Sequence, residues 1–205
     1  MAPADPLKML SDEELLIRFR RGEAEAFASL LRRYERELYG YLRRYLDDAS
    51  LAEDVFQNTF LQVYKKAGQY EPGRPVRPWL YAIATRQAID AMRRRGRHAV
   101  VSLEQAADEG DGEIQTLLDL LHCRGAGPLE QVAEAERRDL VRSSVEQLPD
   151  FLRQVLVLAY YQGLKYREIA DVVGVPVGTV KSRLHAALVR LQEAWSETCP
   201  SANEV

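Results

Sequence analysis

Between Phe27 and Tyr45 the apolar side chains recur at steps of three and four: Phe27, Leu30, Leu31, Tyr34, Leu38, Tyr41, Leu42 and Tyr45. That spacing lines one face of a helix and scatters over both faces of a strand, so a long one-sided helix is the firmest constraint in the chain. A helix with one apolar stripe has to be covered by other elements. Upstream, Ser11 with Glu14 three residues on reads as a capping box ahead of Leu15, Leu16 and Phe19, and Gly22 interrupts that short helix. Downstream, Asp47-Asp48 ends the long helix, and a third carries Leu51, Val55, Phe56, Phe60, Val63 and Tyr64 on its expected buried face. Residues 69–78 hold Pro72, Gly73, Pro75 and Pro78 and are expected to be loop. A fourth helix is expected from Trp79 through Leu80, Ile83, Ala84, Ala88 and Ile89 to a run of arginines.

Strand signals are nearly absent: valines fall in helical spacing, and no Asn-Gly or Asp-Gly turn joins two alternating runs. The expected class is therefore all-α. With 205 residues, 46% of them hydrophobic, the chain can build one medium domain or two small ones. No run of about eighteen apolar residues is present and no signal-peptide core follows Met1, so no stable membrane insertion is expected. Cys123 and Cys199 are too few for a disulfide framework and suit a reducing cytoplasmic setting. The net charge of -3 hides segregation. Arg86, Arg93, Arg94, Arg95 and Arg97 cluster in one place, and Asp108, Glu109, Asp111 and Glu113 follow.

The acidic, glycine-bearing stretch 98–128 is expected to be a flexible linker, with one helical turn set at Ile114, Leu117, Leu118 and Leu121. Helical period resumes at Leu129 and runs to Leu148. Pro149-Asp150 then opens a helix with Phe151, Leu152, Val155, Leu156 and Ala159 inward, ending by Gly163. A short helix follows, with Ile169, Ala170, Val172 and Val173 apolar. Gly174 suits the left-handed turn after it, and Pro176 suits the first turn of the next helix. That last helix places Val180, Leu184, Ala187, Leu188 and Leu191 on one stripe and Thr179, Lys181, Ser182, Arg183 and His185 on the other side. Donors and hydroxyls near such a helix start suit base edges and phosphates of duplex DNA. A solvated helical hairpin explains any one of these cations, but not the short helix, glycine turn and proline-started polar helix together.

These residues resemble the extracytoplasmic-function sigma factors of bacteria. The stretch Gly163-Leu164-Lys165-Tyr166-Arg167-Glu168-Ile169-Ala170, followed by Val175-Pro176-Val177-Gly178-Thr179-Val180-Lys181-Ser182-Arg183-Leu184, is similar to their second domain. Ala52-Glu53-Asp54-Val55-Phe56-Gln57-Asn58-Thr59-Phe60-Leu61 resembles the family's polymerase-binding helix, and Trp79-Leu80-Tyr81-Ala82-Ile83-Ala84 its promoter-opening helix. The resemblance implies a subunit that binds core RNA polymerase and directs it to promoter DNA. The second domain would read the -35 element as duplex, and the first the -10 element as it melts. It also implies a separate anti-sigma protein as partner, a role in stress response, and no catalytic residues, because the polymerase does the chemistry.

On that reading the duplex contacts are Arg167, Thr179, Lys181, Ser182, Arg183 and His185. The single-strand contacts are Tyr70, Arg74, Arg77, Arg86, Arg93 and Arg94, since aromatics stack on exposed bases and arginines follow phosphates. Trp79 is expected in the core. The family commonly has asparagine where this chain has Arg86, preceded by arginine where this chain has Thr85. Glu53, Asp54, Gln57 and Asn58 are acceptors for arginines of another protein and are expected to meet the polymerase. Without the resemblance they would read as a solvated helix start. His122 beside Cys123 lacks a second ligand pair for zinc, so no metal or cofactor is expected.

The expected organisation is two small helical domains on a flexible linker: 1–97, linker 98–128, and 129–205 with the helix-turn-helix. The acids of the linker are expected to mimic nucleic-acid charge inside the polymerase. The rival from another class is a regulator that binds DNA alone through Thr179 to His185. A nucleic-acid enzyme finds no paired-carboxylate, His or Cys constellation.

Overall fold

The computed structural model describes residues 6–96 and 141–198, with side chains over 7–96 and 141–194. Arg97, the linker 98–128, residues 129–140, Cys123 and Cys199 lie outside the described residues. The described residues are helical without a strand and fall into two compact units, 6–96 with 167–174 and 141–166 with 175–198.

The N-terminal unit opens with a 3-10 turn, Pro6–Met9, and α1, Asp12–Arg20. The capping box at its start is formed: Glu14 N–H donates to the Ser11 hydroxyl at 3.1 Å, and Ser11 N–H donates to the Glu14 carboxylate at 2.8 Å. Gly22, at φ 100°, turns the chain into α2, Ala24–Leu46. The expected stripe is the buried one, with Leu30, Leu38, Tyr41 and Leu42 all at 0% exposure. Asp47 takes the left-handed conformation, and the Asp48 carboxylate accepts Leu51 N–H at 2.9 Å to start α3, Ala49–Lys66. The two aspartates thus divide the work of ending one helix and capping the next. α3 packs on α2, and α1 covers another side of α2.

After a 3-10 turn, Ala67–Gln69, comes α4, Val76–Arg94, which packs against α3 and α2. The helix starts three residues before the Trp79 expected from sequence. Pro78 sits in its first turn, where a missing N–H leaves no helical bond unmade. The cap comes from far away: Val76 N–H donates to the Glu13 carboxylate at 3.0 Å. Thr85 and Tyr41, both buried, share a hydrogen bond of 2.7 Å. Two expectations fail on α3. Phe56 is half-buried rather than buried. Tyr64 is 59% exposed rather than buried, its ring lying edge-on to Phe27 at 5.5 Å and near Phe19 at 5.0 Å.

In the C-terminal unit, residues 141–147 are helical (α5), followed by α6, Asp150–Leu156, which runs on as a π-turn over Val157–Tyr161. α8, Val177–Thr198, packs on α6. Val180, Leu184, Ala187, Leu188 and Leu191 are its buried stripe, as the spacing predicts. Phe151 and Ala159 are half-buried rather than inward. Pro176 precedes α8 instead of opening it, its carbonyl accepting Val180 N–H at 3.1 Å. Between α6 and α8 in the chain comes α7, Tyr166–Val173, which from Arg167 on is grouped with the N-terminal residues, with Ile169, Ala170 and Val172 buried and Gly174 at φ 75° closing it. The order of short helix, glycine turn and long helix is that of a helix-turn-helix.

Leu38 is fully buried, so Leu38→Ala is expected to cost ~3 kcal/mol in denaturant unfolding. Burial alone would raise the Glu13 carboxyl. Hydrogen bonds from Val76 N–H, its own N–H and Ser11, with Arg33 nearby, outweigh that and hold it below its ordinary value of 4.5. A lowered folded pKa contributes stability that is complete above the unfolded value and is lost as pH falls through the folded one. The melting temperature of the N-terminal unit should therefore drop below about pH 4.5, and Glu13→Gln should flatten that part of the profile. Glu13→Ala should lower stability by ~1 kcal/mol at neutral pH.

Candidate nucleic-acid and partner interfaces

The residues expected to meet duplex DNA lie on α8 and at the start of α7. Arg167 and Lys181 are exposed, while Thr179, Ser182, Arg183 and His185 are partly exposed. The Ser182 hydroxyl donates to Thr179 O at 3.1 Å, which leaves its lone pairs to accept. Two of the cations lie over aromatic rings. Lys181 Nζ is 5.9 Å from the Tyr166 ring centre, and the Arg183 guanidinium is 5.5 Å from that of Phe151. Burial against this ring pushes the Arg183 pKa down, which leaves it charged at any physiological pH.

The loop between α3 and α4 is held from both ends. Arg20 donates to Tyr70 O at 3.1 Å, the Tyr70 hydroxyl donates to Arg74 O, and Glu13 accepts from Val76 N–H. Residues 71–75 are exposed on this frame. Tyr70 itself is 3% exposed, its ring against Trp79 at 5.5 Å, so the frame covers the surface a stacked base would use. Arg74 is exposed, in a surface pair of 2.8 Å with Glu71, the kind that contributes little and is readily given up. Arg77 is tied down: its Nε donates to the Glu37 carboxylate at 3.1 Å, and its guanidinium lies 5.6 Å over Tyr81. Burial would lower the Arg77 pKa, but the Glu37 bond outweighs it and raises it.

Farther along α4, Arg86, Arg93 and Arg94 are exposed. Arg86 and Arg93, seven residues apart, share one helix face. Arg95 instead pairs with Asp48 at 2.5 Å. Thr85 is buried, so the position before Arg86 faces the core.

On α3, Glu53, Asp54, Gln57 and Asn58 are all exposed and lie on one side of the helix. Leu61, 57% exposed, continues that side one turn on, a large apolar group among acceptors. The sequence places Leu61 at the end of the stretch that resembles the polymerase-binding helix but assigns it no role, since no local pattern marks an exposed apolar group there. Reading the sequence alone missed Glu13, Arg20 and Glu37, whose partners are 40 or more residues away. No local pattern signals such pairs. Among the described residues no group of three His, Cys, Asp or Glu could hold a metal ion. None of the helices searched is long and apolar enough to cross a membrane.

Comparison with known proteins bears on both units. The Sigma-70 region 2 profile matches residues 30–98, and the Sigma-70, region 4 profile matches residues 138–191. The RNA polymerase sigma-H factor of Pseudomonas aeruginosa is 32% identical over 187 residues, covering 89% of this chain and 93% of that one. The ECF RNA polymerase sigma factor SigW of Bacillus subtilis is 31% identical over 166 residues, covering 81% and 87%. The fold is shared with the CnrH structure solved in complex with the cytosolic domain of CnrY, at TM-score 0.63 and 24% identity over 91% of this chain and 97% of that one. It is also shared with the sigma factor RpoE of Bartonella quintana in complex with the anti-sigma factor NepR, at TM-score 0.60 and 23% identity over 84% and 98%. With both sigma regions matched and relatives covered almost end to end, this chain belongs to the extracytoplasmic-function family of RNA polymerase sigma factors, which direct the polymerase to promoters for transcription initiation.

Proposed function

We propose that residues 1–97 and 129–205 act as two DNA-contacting domains joined by 98–128, each holding one promoter element for a shared polymerase. In the C-terminal domain α8, with Arg167, binds the -35 duplex through Thr179, Lys181, Ser182, Arg183 and His185. In the N-terminal domain Arg74, Arg86, Arg93 and Arg94 follow the melted -10 strand. Tyr70 and Arg77 serve that strand as frame: Tyr70 holds the loop from beneath, and Arg77 is locked to Glu37. Glu53, Asp54, Gln57 and Asn58 accept hydrogen bonds from core polymerase. The observation that carries this assignment is that α3 exposes acceptors while α4 exposes arginines, two chemistries suited to two partners.

The protein contributes positioning and no bond-making chemistry of its own, and it works in the cytoplasm, where the polymerase is. Proteins of its fold have been solved in complexes, CnrH with the cytosolic domain of CnrY and the sigma factor RpoE with the anti-sigma factor NepR. A separate anti-sigma protein is accordingly the expected regulator here.

In vitro transcription with core polymerase tests the assignment. Promoter-specific RNA should require this protein. Asp54→Arg should weaken core binding by about tenfold or more, the worth of a charge-assisted bond lost and reversed, with the melting temperature unchanged. Arg86→Ala should leave core binding intact and slow strand opening, read by permanganate footprinting. Tight operator binding by the protein alone, with no stimulation of the polymerase, would favour the stand-alone regulator instead.

A further inference from the structure

Helix α8 carries two of its three cations, Lys181 and Arg183, in a peculiar place, with Arg190 farther along. At about 100° per residue, its buried stripe of Val180, Leu184, Ala187, Leu188 and Leu191 defines an inward direction. Lys181 and Arg183 fall about 80° to either side of it, on the two flanks. Up to Val189 the outermost strip holds Gly178, Thr179, Ser182, His185, Ala186 and Val189, with no Lys, Arg, Asp or Glu among them; Glu193 follows on that side nearer the C-terminal end. Each flank cation also has an aromatic ring under it from an element other than α8. Tyr166, the first residue of α7, lies under Lys181 at 5.9 Å, and Phe151, in the first turn of α6, lies under Arg183 at 5.5 Å. Long cationic side chains lose much rotamer freedom when they bind, and a ring that already holds them reduces that loss.

A helix lying in the major groove turns its outer strip to base edges and its flanks to the two phosphate walls. We propose that Phe151 and Tyr166 are positioning residues for DNA binding. Each presets one flank cation, Arg183 and Lys181 respectively, against a phosphate wall, while the strip between them reads the base pairs. Lys181 and Arg183 therefore set affinity and register, and Ser182 with His185 sets sequence preference. The inference rests on the reading of α8 as the duplex reader.

The test uses the full chain in holoenzyme with core polymerase. The probe is an upstream duplex selected by that holoenzyme from a randomised pool, with single base-pair substitutions of it. Phe151→Leu and Tyr166→Leu keep apolar bulk and remove the ring. Each should lower the slope of log affinity against log salt by about 0.9, so that the loss between 50 and 200 mM salt becomes about 3.5-fold smaller. The ranking of base-pair substitutions should not change, and Phe151→Tyr and Tyr166→Phe should restore the slope. Lys181→Met, at an exposed position, should match Tyr166→Leu, and the double variant should fall no further. Ser182→Ala should do the reverse, changing the ranking and leaving the slope.

A leucine variant that keeps the wild-type slope overturns the proposal, as does Lys181→Met changing the ranking at one base pair with the slope intact. Should Phe151→Leu fail to fold, the Tyr166 and Lys181 arm decides alone. If the wild-type holoenzyme selects no upstream sequence from the pool, it is the duplex-reading role of α8 that falls, a result separate from the others.

Discussion

Everything in the N-terminal unit is arranged around one requirement, that the stripe of α2 be covered. A 23-residue helix buries its apolar residues on a single side, and burial of each large side chain contributes about 1.5–3 kcal/mol. α3 and α4 both pack on it and on each other. Once their apolar sides are turned inward, their outer sides are no longer free to be anything else. α3 must present Glu53, Asp54, Gln57 and Asn58, and α4 must present Arg86, Arg93 and Arg94. The acceptor face and the arginine face are the complements of one core, which is why substitutions inside that core should disturb both together.

The polar bonds at the edge of the core do a different job. Arg20, Glu13 and Glu37 reach from α1 and α2 to Tyr70 O, Val76 N–H and Arg77. They add modestly to stability, about 1 kcal/mol each. Their larger effect is on the loop between α3 and α4, which carries exposed residues on a backbone fixed at both ends. On the proposed reading, in which this loop meets the melted strand, order already established is not charged against binding.

The apolar period was sufficient to read α2, the core stripe of α8 and the capping box at Ser11, since each depends on neighbours within one or two turns. The acceptor face of α3 was legible for the same reason. Where the sequence misled, a distant partner decided. Pro78 reads as a breaker, but the first turn of a helix needs no N–H there, and the cap is supplied by Glu13 from 63 residues away. Tyr70 reads as a ring available for stacking, yet Trp79 and the bond to Arg74 turn it inward. Arg77 reads as a phosphate contact, and no local pattern shows that it donates to Glu37. Tyr64 follows the stripe by spacing but lies where the cover on α3 ends.

The division of the DNA contacts between two units has a physical rationale of its own. On the proposed assignment α8, with its three Lys and Arg residues, neutralises few phosphates, and non-specific binding at physiological salt grows with the number neutralised. Such a helix alone would hold duplex only weakly. Joined to a second unit on the same polymerase, each contact becomes intramolecular once the other is made. The effective concentration set by the connection then multiplies two modest affinities without a new contact. Weakness in each half is thus what makes promoter choice depend on both elements at once: a site matching only one would hold the protein no longer than the separate affinity of that half allows.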